Sequence, residues 1–317
     1  MISLTSLANK LFSAESVAVI MHIRPDGDAL GSSLALAAAL EKSGVKTEVF
    51  CADPVPEKFG FLKNVSRVKT DFFGEYTYLV ACDCADVSRM GALGEIFVKS
   101  KPNFNIDHHV SNTHFARHNY VMDKASNCEN VYALINEAGA DIDEEIANLL
   151  ATGVVTDTGG FAHKNVTAET LETASALVKL GADLNAITYN CFKKQTKARA
   201  ALFARVMSKI RYFADDAFAV ATVAKKDLEE TDAKADETEG FIDFVMGIDC
   251  VKVGACVMET GENKYKISFR SKGTDVNAVA GVFGGGGHVL ASGCQIFGEY
   301  EEVIDKIVCA VKRFIEE

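Results

Sequence analysis

At 317 residues with a net charge of −11, the chain is sized for two domains and lacks the broad basic face that grips long nucleic acid. Its 48% hydrophobic and 24% charged residues are the composition of a soluble globular protein, and no apolar run reaches the ~18 residues of a membrane span. The opening "MISLTSLANKLFSAES" lacks the basic start and apolar core of a signal peptide, and nine cysteines without a C-x-x-C read as reduced core thiols of a cytoplasmic protein.

In chain order, an apolar strand "VAVIM" (17–21) runs straight into "HIRPDGDALG" (22–31). Buried charges cost several kcal/mol unless paired or bound to a cation, so this strand end asks for a metal or for a helix terminus. "DALGSSLALAAALEKSG" (28–44) reads as an Ala/Leu-rich helix closed by a glycine. "KTEVFC", "YTYLVACD" and "FNIDHH" follow as strands, then helical patterns at 126–138, 143–156 and 167–180. Strands alternating with helices predict an α/β fold with a doubly wound, mostly parallel sheet. Ser126 and Glu129 read as the cap and first turn of the 126–138 helix.

Residues 191–213 carry seven Lys/Arg and no acid, and read as a basic helical linker: a solvated face, or an electropositive wall toward an anionic substrate. The charged stretch 225–240 reads as a solvated loop or frayed helix. Alternating segments at 217–224, 250–258 and 264–270, with helices near 239–248, 275–282 and 299–316, suggest a smaller α+β domain. The expected domains are therefore 1–190, 191–213 as linker, and 214–317.

Three apolar runs end in ligand-type side chains. The first ends at His22, followed by Asp26 and Asp28; the second at Asp83; the third at Asp107, His108 and His109. A fourth acid, Asp157, follows a helical apolar run in "GVVTDTGGF". In open α/β sheets such strand ends converge on one crevice, and converging carboxylates repel strongly without a cation. Imidazole and carboxylate without thiolate suits Mn²⁺, Mg²⁺, Fe²⁺ or Zn²⁺. Cys82 and Cys84 flank Asp83 and, on a regular strand, would both face away from it. Near the C-terminus, "GGGGH" (284–288) alone reads as a flexible turn, yet consecutive glycines also let backbone N–H groups approach a phosphate.

"HIRPDGDALGSS", "DCADVSRMG", "IDHHVSN" and "TDTGGF" resemble, in order, the motifs of the DHH phosphoesterase superfamily. "FRSKGTDVNAVAGVFGGGGHVLASG" (269–293) resembles the DHHA1 domain that accompanies it, and the whole is most similar to the nanoRNase/pAp-phosphatase branch. The resemblance implies two Mn²⁺ ions, or Mg²⁺ or another divalent cation. His22, Asp26 and Asp83 would hold one; Asp28, Asp83, His108 and Asp157 would hold the other. Two such ions can activate a water and steady both the attacking and the leaving oxygen at phosphorus. Asp107 would orient a histidine, and His109 would face the substrate as donor or general acid. Arg270, Ser271, Gly285, Gly286, Gly287 and His288 would hold a substrate phosphate across a cleft, and Arg89 would meet phosphate or pair with a local acid. The substrate would be very short single-stranded RNA (nanoRNA) or 3′-phosphoadenosine 5′-phosphate (pAp), with no long duplex and no membrane partner; a homodimer stays open. The alternatives are cyclic di-AMP or linear dinucleotides such as pApA, inorganic pyrophosphate, and a non-catalytic nucleotide binder.

Overall fold

The computed structural model describes residues 1–100 and 102–315, and the chain divides into two compact units, Met1–Lys194 and Gln195–Glu317. In the first unit the elements are α1 (Leu4–Leu11), β1 (Ser16–Met21), α2 (Gly27–Lys42), β2 (Lys46–Phe50), β3 (Tyr78–Cys82), α3 (Leu93–Lys99), β4 (Asn103–Asp107) and β5 (His118–Val121). Helices α4 (Asn127–Glu137), α5 (Glu144–Asp157), α6 (Ala168–Lys179) and α7 (Leu184–Thr188) follow, and a π-helical turn at Tyr189–Lys193 ends the unit.

The five strands are all parallel, in the order β2-β1-β3-β4-β5. Both faces are covered, which is why the central strands read as continuous apolar runs. Val17, Val19, Met21, Phe104 and Ile106 pack with α2, α4 and α5; Ala18, Ile20, Leu79 and Ala81 pack with Leu93 and Phe97 of α3. The strand order reverses between β1 and β3, so the carboxyl ends of these strands border the crevice where such sheets bind ligands. Cys82 and Cys84 lie in opposite core clusters, not on a common face, because the backbone at Asp83 is left-handed (φ 58°) and interrupts the alternation.

The second unit contains α8 (Lys197–Met207), β6 (Arg211–Phe213), β7 (Phe218–Val223), α9 (Lys225–Thr231), α10 (Phe241–Met246), β8 (Val253–Gly261), β9 (Lys264–Ser271), α11 (Val276–Gly281), β10 (Gly286–His288), β11 (Ala291–Phe297) and α12 (Tyr300–Ile315). Residue 316 of the expected last helix lies outside the described residues. The sheet order is β10-β11-β9-β8-β7-β6, antiparallel except for β7 beside β8. Phe218, Val220 and Val253 face α11 and α12, while Ala219, Ala221 and Val223 face Leu202 and Val206 of α8 and Phe241 of α10. Among the described residues no helix is long and apolar enough to cross a membrane.

Two charged stretches differ from expectation. The basic segment is divided between the units, and α8 packs into the core of the second. Arg199 donates to the carbonyls of Glu237 and Glu239; Arg205 bonds Asp227 at 2.5 Å and also Glu230; Lys209 bonds Asp227 at 2.8 Å; Arg211 bonds Glu301 at 3.0 Å. Four of its seven cations are thus spent inside the unit. Residues 225–240 are not merely solvated: α9 buries Asp227, which anchors α8 through those two cations.

Candidate active site

Each sequence motif at a strand end proves to have a backbone task as well as a charge. Asp26 caps α2, its Oδ1 accepting from the N–H groups of Asp28 (3.1 Å) and Ala29 (3.0 Å). Asp28, fully buried in the first turn of α2, accepts at Oδ2 from the N–H of Asn127 (2.5 Å) and at Oδ1 from the N–H of Cys128 (2.9 Å). The first turn of α4 is therefore held by a carboxylate from α2, and Ser126 makes no side-chain cap there. Glu129 is buried against Thr170 at 3.1 Å, and burial raises its carboxyl above the usual range.

Asp83 follows β3 in a left-handed conformation that aspartate tolerates better than most residues. It is 2% exposed and joins the two halves of the cluster: Oδ2 is 3.4 Å from Nε2 of His22, and Oδ1 is 3.4 Å from Nε2 of His108. His22 Nε2 is also 3.5 Å from Asp26; His108 Nε2 is 3.5 Å from Asp157, the last residue of α5, and 3.7 Å from Asp28. Both rings use Nδ1 elsewhere, His22 on the carbonyl of Ile23 (2.8 Å) and His108 on that of Lys124 (3.0 Å). With Nδ1–H donating to a carbonyl, a neutral ring turns its Nε2 lone pair toward the carboxylates.

These spacings fit shared cations. They are too long for ordinary N–H···O bonds. Two ligand atoms ~2.1 Å from one ion and separated by 90–120° stand about 3.0–3.6 Å apart. Asp83 Oδ1 is buried without a hydrogen-bond partner among the described residues, as an atom awaiting an ion would be. Ligand-type atoms of His22, Asp26 and Asp83, and likewise of Asp28, His108 and Asp157, lie within 4.8 Å of one another. The bare cluster also calls for positive charge. Burial, reinforced by Asp28 and Asp83, pushes Asp157 up to about 9, and burial with Asp83 pushes Asp28 up to about 7. Burial opposes protonation of His22 and His108, yet their carboxylate neighbours outweigh it and raise both to about 10. Burial would raise Asp83 too, but the two histidines hold it well below the usual range.

Asp107 lies outside the ligand groups. Fully buried, it bonds Nδ1 of His109 at 2.8 Å and accepts from Asn112 Nδ2 at 2.6 Å, while Asn130 donates to its carbonyl at 3.0 Å. His109 also stands 3.7 Å from Asp83, but its Nδ1 is engaged by Asp107, so Nε2 is the atom left for other work. The bond to Asp107, against burial and with Asp83 adding, raises the imidazole above its ordinary value. Arg89 is half-buried in a short turn, and its carbonyl accepts the N–H of Ile23 at 2.7 Å, which ties that turn to the loop after His22. Asn112 and Asn130 were not singled out from sequence; Asn112 does stand in "IDHHVSN", but nothing local marks it as buried. His163, assigned no role from sequence, places Nδ1 3.2 Å from the Asp157 carbonyl.

In the second unit Arg270 and Ser271 end β9, beside the β10–β11 hairpin that carries exposed His288. The expected cradle of glycine N–H donors is not formed: Gly284, Gly285 and Gly287 donate to Gly281, Ala280 and the Asn277 side chain. Gly285 and Gly287 serve close packing instead. A Cβ at Gly285 would meet the Gly293 carbonyl at 2.2 Å, and one at Gly287 the Ala291 carbonyl at 2.6 Å. Arg270 Nη1 donates to the Phe269 carbonyl (3.0 Å) and Ser271 to that of Thr274 (2.5 Å).

Residues 16–154 match the model of the DHH family, N-terminal domain, and residues 215–317 match the DHHA1 domain. The bifunctional oligoribonuclease and PAP phosphatase NrnA of Thermus thermophilus is 33% identical over 302 residues, covering 93% of this chain and 88% of that protein. The protein of the same name from Bacillus subtilis is 25% identical over 320 residues, covering 99% of each. The crystal structure of an exopolyphosphatase-related protein from Bacteroides fragilis superposes with a TM-score of 0.86 at 27% identity, over 98% of this chain and 96% of that one.

Proposed function

The chain belongs to the DHH family of phosphoesterases, and from that membership we propose that it is a Mn²⁺-dependent hydrolase of very short oligoribonucleotides and of pAp. The observation that carries the reading is the set of 3.4–3.7 Å spacings from the Nε2 atoms of His22 and His108 to four carboxylates, with Asp83 common to both rings. His22, Asp26 and Asp83 would hold one ion, and Asp28, Asp83, His108 and Asp157 the other. Bound there, two divalent cations would supply an acidified water and neutralise charge at phosphorus. Asp107 fixes the His109 ring through Nδ1, so that Nε2 donates to the leaving oxygen. Arg89, Arg270, Ser271 and His288 would contact the substrate's phosphates, and Gly285, Gly286 and Gly287 would shape the hairpin that presents His288. The names of the Thermus and Bacillus relatives couple these two activities, and nine cysteines without a disulfide suit a cytoplasmic setting.

The test is a substrate panel: Mn²⁺-loaded protein with pAp, pApA, cyclic di-AMP, pyrophosphate and short RNAs, compared by kcat/KM, with Asp83→Asn as control. The expectation is turnover of pAp and short RNA by the wild type and near-complete loss in the variant, together with bound metal. Preference for pyrophosphate or cyclic di-AMP would move the substrate assignment. Metal-independent binding without turnover would end the enzymatic one.

A further inference from the structure

Of the four side chains read as holding the second ion, Asp83 is shared with the first, and the stretch Lys124–Cys128 touches two of the other three directly. The Lys124 carbonyl accepts Nδ1 of His108 at 3.0 Å, and the N–H groups of Asn127 and Cys128 hold Asp28 at 2.5 and 2.9 Å. The third, Asp157, belongs to another helix, α5. The side chain that spans the gap is Asn165, in the loop before α6: its Nδ2 is 3.1 Å from the Ala125 carbonyl and 3.1 Å from the Asp157 carbonyl. The geometry points to Asn165 as a positioning residue that locks Asp157 to the stretch already holding Asp28 and His108, and so sets the affinity of the second cation.

The chemistry of the two partners supports this. The Asp157 carbonyl is among the last of α5 and has no donor within the helix. A primary amide has two N–H bonds on one nitrogen and can satisfy two carbonyls at a fixed separation. His163 also donates to Asp157, at 3.2 Å, but makes no hydrogen bond to Lys124–Cys128. Asn165 is exposed, so water can replace it on both carbonyls when it is removed. Its loss should therefore loosen the register between α5 and the stretch before α4 without unfolding the unit.

The inference rests on the two-ion reading, and its test separates the two. Mn²⁺ is titrated calorimetrically into the metal-free full chain, bound metal is counted, and melting of the metal-free protein is followed in parallel. Asn165→Ala is expected to leave one ion as in the wild type and to weaken the other about 10–100-fold, the usual effect of losing an outer partner of a metal site. The metal-free melting temperature should not move. Adding Asn165→Ala to Asp157→Asn should weaken binding no further, because Asn165 acts through Asp157. His163→Ala should leave both affinities unchanged. Equal weakening of both ions, an additive double variant, an equal loss in His163→Ala, a fall in metal-free melting temperature, or binding like the wild type would each overturn the role of Asn165. A wild-type chain that binds no Mn²⁺ would instead remove the two-ion reading.

Discussion

Asp107 and Asp83 are both aspartates at strand ends on the same sheet, yet their partners give them opposite tasks. Asp83 faces two imidazole nitrogens at 3.4 Å and leaves Oδ1 without a hydrogen bond. Asp107 meets His109 at 2.8 Å and Asn112 at 2.6 Å, and its oxygens join none of the groups of converging ligand atoms. His109 also groups with Asp83 and His108, so the proposed donor role rests on the bond of its Nδ1 to Asp107. His109→Ala should keep two Mn²⁺ per chain and lower kcat on short RNA by about 10²–10⁴-fold, the usual contribution of a general acid. Metal analysis beside steady-state kinetics checks it: loss of an ion would make His109 a ligand. At this scale the candidate ligands were legible, because His22, Asp83 and His108 stood at or beside the end of an apolar run and Asp26, Asp28 and Asp157 stood close after one. Asn112, Asn130 and Asn165 were not. An asparagine announces nothing until its partners are known, and Asn165 meets Ala125 from 40 positions away.

Between elements, the site depends on how closely α5 approaches α2. Gly153 of α5 makes that approach possible: a Cβ there would meet Cys128 Sγ at 2.3 Å and Asp28 Oδ1 at 2.4 Å, with the Asp28 Cα at 3.0 Å. All these neighbours are fully buried, so none can swing into solvent. In an open helix, Gly→Ala gains about 1 kcal/mol of propensity. Here overpacking costs about 1–3 kcal/mol and falls on a carboxylate of the site. Gly153→Ala should therefore lower both the melting temperature and the affinity for Mn²⁺. A variant that melts higher and binds Mn²⁺ as before would show that α5 can move away without cost to Asp28. The crossing was hidden in the sequence, where Gly153 is one glycine in an apolar helix. The helix itself was legible, as were the β1, β3 and β4 runs, because burial on both faces writes continuous apolar stretches. The four residues of β5, an edge strand, are too short for a period to register, and α9 looked solvated because its buried contact is an aspartate held by cations from α8.

For the molecule as a whole, charge sets the length of nucleic acid it can process. The chain carries −11 overall, and its single concentrated basic segment has Arg199, Arg205, Lys209 and Arg211 bound to partners within the second unit. A nuclease that holds long strands needs free cations along an extended track, since each phosphate neutralised adds binding and each one left over an acidic surface does not. Beyond Lys193, Lys194 and Lys197 of that segment, the cations proposed to meet substrate are local: the ions at the Asp83 cluster and Arg89 in the first unit, and Arg270 in the second. Such a set recognises a phosphate or two and gains little from further nucleotides. Hydrolysis should then fall steeply beyond about five nucleotides. A labelled RNA ladder from about two to about twenty-four nucleotides, at equal Mn²⁺ and salt, measures this. Equal rates at the two ends would mean that a long strand finds a continuous cationic path on the protein, and Arg199 and Arg205 of α8 would have to release their carbonyl and carboxylate partners to provide it.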